Sequence, residues 1–374
     1  MISAMIGNHL KNLSGWTTKR KYVAFAVDDY GNVRVASREA RQYLRTQGVA
    51  LSGRFDRYDA LDSVEDFEQL FAVLGSVRDG RGRHPVFTTF AMPCNVDLQR
   101  SLEANTLVSE DLDVTYRRVA DEEPAAYAGA FAAMHDGITR GFLRPQFHGR
   151  EHVNAELFDL QLRAAHPHVR ANAEVRSMAG IPSHPRLPGV RFTEAYALWE
   201  RTAVQAHRRI LADGMMRFER VYGYRPTVFT PPAMQLHPDL WDDLVSLGIR
   251  AIDQPRVHSV HLGEGSYRRM RHVSGRRLRD ELVSVVRNCL FEPNSRPIDW
   301  VAHTMAQIQA AFLWRKPAII SSHRVNFCGQ IAPENRRDGL QMLHALLRRI
   351  VETWPDIEFV SVDELVSKMP GASN

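Results

Sequence analysis

The sequence predicts an α/β protein with a mainly parallel sheet covered by helices, either a barrel or a doubly wound sheet, and three observations predict it. Short apolar, β-rich runs alternate with amphipathic segments of helical spacing along most of the chain. Three of those runs end abruptly in ionisable residues, at Asp28-Asp29, His148 and His323. The 374 residues are 44% hydrophobic, enough for a sizeable core, with no sequence repeat or low-complexity linker. One large domain with helical insertions is expected over residues 21–374, after an N-terminal extension of residues 1–20.

The elements follow in order. Tyr22 to Val27 reads as a buried strand ending at two aspartates, and Ser37 and Ser63 are placed to cap helices reaching Gln47 and Val77. Pro85 to Phe90 is the next strand. Pro124 to Thr139 reads as a helix, Phe142 to Phe147 as a strand and Ala155 to Ala165 as a helix. A long amphipathic segment from Glu194 to Val221 precedes the strand Thr227 to Phe229. Pro238 starts a helix that stops near Gly248, and Ile249 to Ile252 is a strand. Leu282 to Val286, a helix from Asp299 to Trp314, the strand Ala318 to Ser321 and a helix from Pro333 to Thr353 complete the alternation before a last strand and helix.

Composition narrows the function classes. The first residues lack a basic stretch followed by an unbroken apolar run, and no run of about 18 to 20 apolar residues occurs, so a cytoplasmic protein without a transmembrane segment is expected. Cys94, Cys289 and Cys328 are odd in number and widely spaced, which suits neither a disulfide framework nor a zinc ribbon. The formal charge of +5 comes from scattered basic groups without interleaved aromatics, so nucleic acid is not the expected partner.

In α/β folds of this kind the loops at the carboxyl ends of the strands converge on one site. Residues nearly three hundred positions apart in this sequence can therefore meet. His148-Gly-Arg-Glu-His152 sets two imidazoles four residues apart, a spacing that on a helix points both at one cation, and Asp29 supplies a carboxylate ligand. Two histidines and a carboxylate leave open positions for water and substrate on a hydrolytic ion. Adjacent carboxylates repel unless their roles differ, which leaves Asp28 as the general base. His323 follows an apolar run and is the general-acid candidate. Trp241, Trp300 and Trp314 are read as core residues, and the pairs His166 with His168 and His258 with His261 as turn residues.

These residues resemble the motifs of the polysaccharide deacetylase family, the NodB-like carbohydrate esterases within a larger glycoside hydrolase/deacetylase barrel superfamily. Ala26-Val27-Asp28-Asp29-Tyr30-Gly31 looks like the first motif, and His148 and His152 match the second. Phe229-Thr230-Pro231-Pro232 is similar to the third, Asp299-Trp300 faintly resembles the fourth, and Ile320-Ser321-Ser322-His323 the last. The resemblance implies a distorted (β/α) barrel of about seven parallel strands and a divalent metal: zinc, or else cobalt, nickel or manganese. It also implies a divergent branch. The third motif normally carries an arginine that orients the base, and here Thr230 stands in its place, leaving Pro232 as the motif's other support. Arg150, inside the metal motif, and Arg324, beside His323, are the candidates to supply the missing charge.

The expected activity is removal of an N-acetyl or O-acetyl group from a sugar, oligosaccharide or polysaccharide precursor, with metal-bound water as nucleophile, Asp28 as base and His323 as acid. Two alternatives stay open: a glycoside hydrolase of the same barrel superfamily, and a carbohydrate-binding protein without catalysis.

Overall fold

The computed structural model describes residues 2–371, the side chains of residues 2–5 aside. Among these residues fourteen strands occur in chain order: β1 (Lys21–Tyr30), β2 (Phe87–Ala91), β3 (Cys94–Val96), β4 (Ser109–Asp111), β5 (Gln146–Phe147), β6 (Val228–Phe229), β7 (Ala251–Asp253), β8 (Val257–Gly263), β9 (Ser266–Arg271), β10 (Arg277–Arg279), β11 (Leu282–Val285), β12 (Cys289–Leu290), β13 (Ala318–His323) and β14 (Ile357–Phe359). The main sheet runs β10-β11-β7-β6-β5-β2-β1-β13-β12, with β14 paired to β1. All its pairings are parallel except β10 with β11. The curled sheet is the expected distorted barrel. Seven parallel strands lie between the antiparallel edge β10 and the two-residue β12.

The composition of β1 explains why it lies at the centre. Val23, Phe25 and Val27 face one apolar cluster with the surrounding helices, while Tyr22, Ala24 and Ala26 face a second cluster. That second cluster also holds Val228, Ala251, Val283 and Ile319 from neighbouring strands, and Leu365 and Met369 close it from the C-terminal segment. A strand buried on both faces reads as continuous apolar sequence, as Tyr22 to Val27 does.

The helices begin where caps allow them. Ser37 accepts from the Ala40 amide at the start of Arg38–Thr46, Ser63 and Asp66 form a capping box for Val64–Gly75, and Asp299 accepts from the Ala302 amide to start Trp300–Leu313. Two expected helices differ. Pro124 to Thr139 is broken into Pro124–Tyr127 and Ala130–Thr139 by Gly129, whose φ is +92°. The amphipathic segment from Glu194 becomes helical only at Ala203–Tyr222, because the residues before it form a loop against the site. Sequence periodicity also missed two ribbons, β3 with β4 and β8 with β9, whose short strands carry mixed polar faces. Cys94, Cys289 and Cys328 are buried free thiols. No helix among the described residues is long and apolar enough to cross a membrane.

Candidate metal centre

Asp28 and Asp29 reach the mouth together because β1 breaks its own alternation. It pairs with β2 through Phe25, Ala26 and Val27, and the register then slips before Tyr30. Asp29 sits in the slip with φ +74°, a left-handed conformation that costs a non-glycine residue about 1–3 kcal/mol. Successive strand residues normally point to opposite faces, and a bulge re-aims one of them. Both carboxylates thereby line one cavity of about 330 Å³, with His148, His152 and His323.

His148 and His152 do not share a helix. The segment between them is a loop, turned at Gly149 with φ +95°, so the expected helical spacing is replaced by a bend. A Cβ at Gly149 would stand 3.2 Å from Pro232 Cγ and 3.2 Å from Tyr196 Cε2, so the turn also needs glycine for room. The rings nevertheless converge, their centroids 5.2 Å apart. Asp29 Oδ1 lies 3.4 Å from His148 Nε2 and 3.2 Å from His152 Nε2. It is the one group of three such side chains among the described residues whose donor atoms all lie within 4.8 Å of one another.

The donor chemistry fits a divalent cation. His148 Nδ1 lies 2.6 Å from the Thr230 carbonyl oxygen, a partner that can only accept, so Nδ1 carries the proton and Nε2 presents its lone pair toward Asp29. Burial alone would raise the Asp29 carboxyl pKa, but His148 and His152, which donate to it from Nε2 only in their protonated forms, hold it well below the ordinary range.

Asp28 is held by an arginine that sequence reasoning missed. Arg287 grips both its oxygens, at 2.8 and 2.7 Å, and donates from Nε to Asp253 at 2.5 Å. The Thr230 hydroxyl accepts from Arg287 at 3.2 Å and donates to Asp253 at 3.1 Å, so the departure in the third motif is a working part of this network. Arg150 and Arg324 do not supply the missing charge. Arg150 is bound to Glu151 and Asp213, while fully buried Arg324 is bound to Asp59 and Asp62. Their carboxylate partners lie closer than Asp28, and Arg287 already occupies both Asp28 oxygens.

His323 stands beside Asp28 in the β1–β13 register, its Nε2 3.8 Å from Asp28 Oδ2. Its Nδ1 lies 2.5 Å from Glu292 Oε1, and Arg54 binds the other Glu292 oxygen at 2.5 Å. Burial would lower the His323 pKa, but Glu292, with Asp28 and Asp29, outweighs it and pushes it up to about 9. Asp299, from the faint fourth motif, caps the helix Trp300–Leu313. Pro232 packs at the Gly149 turn, and Trp241 and Trp300 are core residues as expected, whereas Trp314 is 39% exposed.

The residues missed share one signal. Asp253 ends β7, Arg287 follows β11 and Glu292 follows β12, each an ionisable residue just past an apolar strand. The rule that singles out His148 applies to Asp253 and Arg287, which follow expected strands, whereas no strand was expected at Cys289–Leu290 to mark Glu292.

No family model and no curated protein matches the chain. Solved structures do. One is a Mycobacterium smegmatis protein assigned as a polysaccharide deacetylase, 12% identical, covering 95% of this chain and 92% of its own, with TM-score 0.44. Another is the peptidoglycan deacetylase PdaC of Bacillus subtilis, 11% identical, covering 93% and 90%, with TM-score 0.36. A third is a GH57 branching enzyme of Thermococcus kodakaraensis, 9% identical, covering 95% and 72%, with TM-score 0.46. At such identities and scores, function has to be argued from the side chains themselves.

Proposed function

We propose that this protein is a metal-dependent hydrolase that removes an acetyl group, N-linked in the first instance, from a sugar or polysaccharide precursor. One observation carries the reading: a proton acceptor, Asp28 on Arg287, and a proton donor, His323 on Glu292, lie side by side next to a convergent Asp-His-His donor set. Asp29, His148 and His152 would hold the cation, with zinc the first choice for two imidazoles and a carboxylate, and cobalt, nickel or manganese as alternatives. Bound there, it supplies a Lewis acid for the acyl oxygen and positive charge that favours ionisation of water.

The chain's own residues carry the protons. As water attacks the acyl carbon, Asp28 accepts its proton, and the Arg287 fork keeps the carboxylate turned to the mouth. His323 enters as imidazolium, since Glu292 stabilises that form, and gives its Nε2 proton to the departing nitrogen as the C–N bond breaks. Acetate and a free amine result. Phe55, edge-on to the His323 ring at 5.3 Å, with Pro231 and Met234 gives the cavity its apolar wall.

The test is product analysis with N-acetylated oligosaccharides and zinc-loaded protein. Acetate without new reducing ends, lost in Asp28→Asn and His323→Ala, is expected. New reducing ends would point to the glycoside hydrolase reading, and saturable binding without either product to a carbohydrate-binding protein.

A further inference from the structure

The molecule has a second feature, remote from the metal centre, in which charge and exposed apolar surface coincide. Residues 6–19, 266–276 and 313–316 contain no aspartate or glutamate, yet carry Lys11, Lys19, Arg269, Arg271, Arg276 and Arg315 among their cations. None of these six forms an ion pair among the described residues. The three segments meet around Ser274, Arg315 and His9. The Trp16 amide donates to Ser274 O at 2.7 Å, the Thr18 amide to Arg315 O at 2.8 Å, and Trp314 Nε1 to His9 Nδ1 at 3.1 Å.

Large apolar side chains are exposed on the same segments. Ile6 and Leu10 lie one turn apart on the helix Ile2–Leu10, and Leu13 follows in the turn after it. Leu10 is 50% exposed, Leu13 51% and Leu313 66%, with Trp314 beside them. The cleft where the segments join is walled by Lys11, Arg256, His272 and Lys316 and by no carboxylate. His272 is buried there with neither ring nitrogen partnered.

We infer that this face seats the protein on an anionic lipid bilayer, with the leucines and Trp314 entering the headgroup region and the arginines and lysines lying over lipid phosphates. Basic residues around an exposed apolar stripe are the composition of an interfacial element. A second copy of the chain fits poorly, because matching this face to itself opposes like charges. Nucleic acid would satisfy the cations but offers nothing to aliphatic Leu10, Leu13 and Leu313. The face lies at the N-terminal ends of β1 and β13, whereas the metal centre lies at their C-terminal ends, so docking leaves the cavity open.

Sedimentation with phosphatidylglycerol vesicles, against pure phosphatidylcholine vesicles, tests this with full-length protein. Binding to the anionic vesicles alone, weakening as salt is added, is expected. Arg269→Glu with Arg271→Glu should weaken partition at least about thirtyfold, and Leu10→Ser with Leu13→Ser about tenfold. These side chains are surface groups, and unchanged thermal unfolding of each variant verifies the fold. Absence of vesicle binding, equal binding to neutral vesicles, or insensitivity to the leucine changes would each overturn the inference. So would lipid-free self-association abolished by the same variants, or single-stranded DNA bound as tightly as the vesicles.

Discussion

Replacing Arg287 by alanine separates the role of the Asp28 anchor from that of the other buried arginines. The side chains of Arg287, Asp28 and Asp253 are only 7%, 5% and 2% exposed, so the change leaves two carboxylates in low dielectric without their cation. Breaking a buried ion pair by removing one partner costs about 3–5 kcal/mol, and the variant should unfold at a clearly lower temperature. Asp28 also loses two charge-assisted hydrogen bonds, at 2.8 and 2.7 Å, each contributing about 1.5–3 kcal/mol. If about 3 kcal/mol of that positioning is expressed in the barrier, kcat falls about a hundredfold or more, at about 1.4 kcal/mol per factor of ten. Arg287→Lys keeps a charge but not the fork and should lie between alanine and the native protein. Steady-state kinetics on an N-acetylated oligosaccharide, alongside thermal melts, reads both quantities. A folded Arg287→Ala protein with kcat within twofold of native would refute the assignment.

Other outcomes follow from neighbouring residues. Arg324→Ala should destabilise by a similar 3–5 kcal/mol through Asp59 and Asp62, while the folded fraction keeps its kcat, because Arg324 touches neither Asp28 nor the donor set; melts and active-site-normalised rates check this. The His323 pKa lies at about 9, above the ordinary 6.5, so the stability contributed by its protonated form is complete below about pH 6.5 and is lost as pH rises through about 9. Activity that needs the imidazolium should fall over the same alkaline limb, and Glu292→Gln should move that limb to lower pH in a pH–rate profile. Gly149→Ala should cost about 1–3 kcal/mol and weaken cation binding, since its Cβ would press on Pro232 and Tyr196 at a φ of +95°; a melt and a zinc titration read the two effects.

Much of the fold was legible because parallel strands buried on both faces are written as apolar runs. The expected strands Tyr22 to Val27 and Ala318 to Ser321 both lie within the observed strands β1 and β13. Asp29, His148 and His152 were legible through strand ends and spacing, and the structure brings them together, but through a loop rather than a helix. What was hidden depends on tertiary pairing. Nothing local marks Arg287 as the partner of Asp28, 259 positions away, and Glu292 meets His323 only through the packing of β12 on β13. The bulge at Asp29 was equally silent, because a register slip belongs to the pair of strands and not to either sequence alone. The β8–β9 ribbon escaped detection because its exposed, arginine-rich face breaks the apolar alternation that marks a strand.

The proposed hydrolysis depends on Asp29, His148 and His152 holding one cation. Metal content by mass spectrometry, after zinc loading and desalting, of the native protein and of Asp29→Ala and His148→Ala, measures it directly. About one ion per chain, lost in both variants while their folds persist, is the predicted result. No bound metal in the native protein, or full occupancy in both variants, would contradict the assignment of this centre.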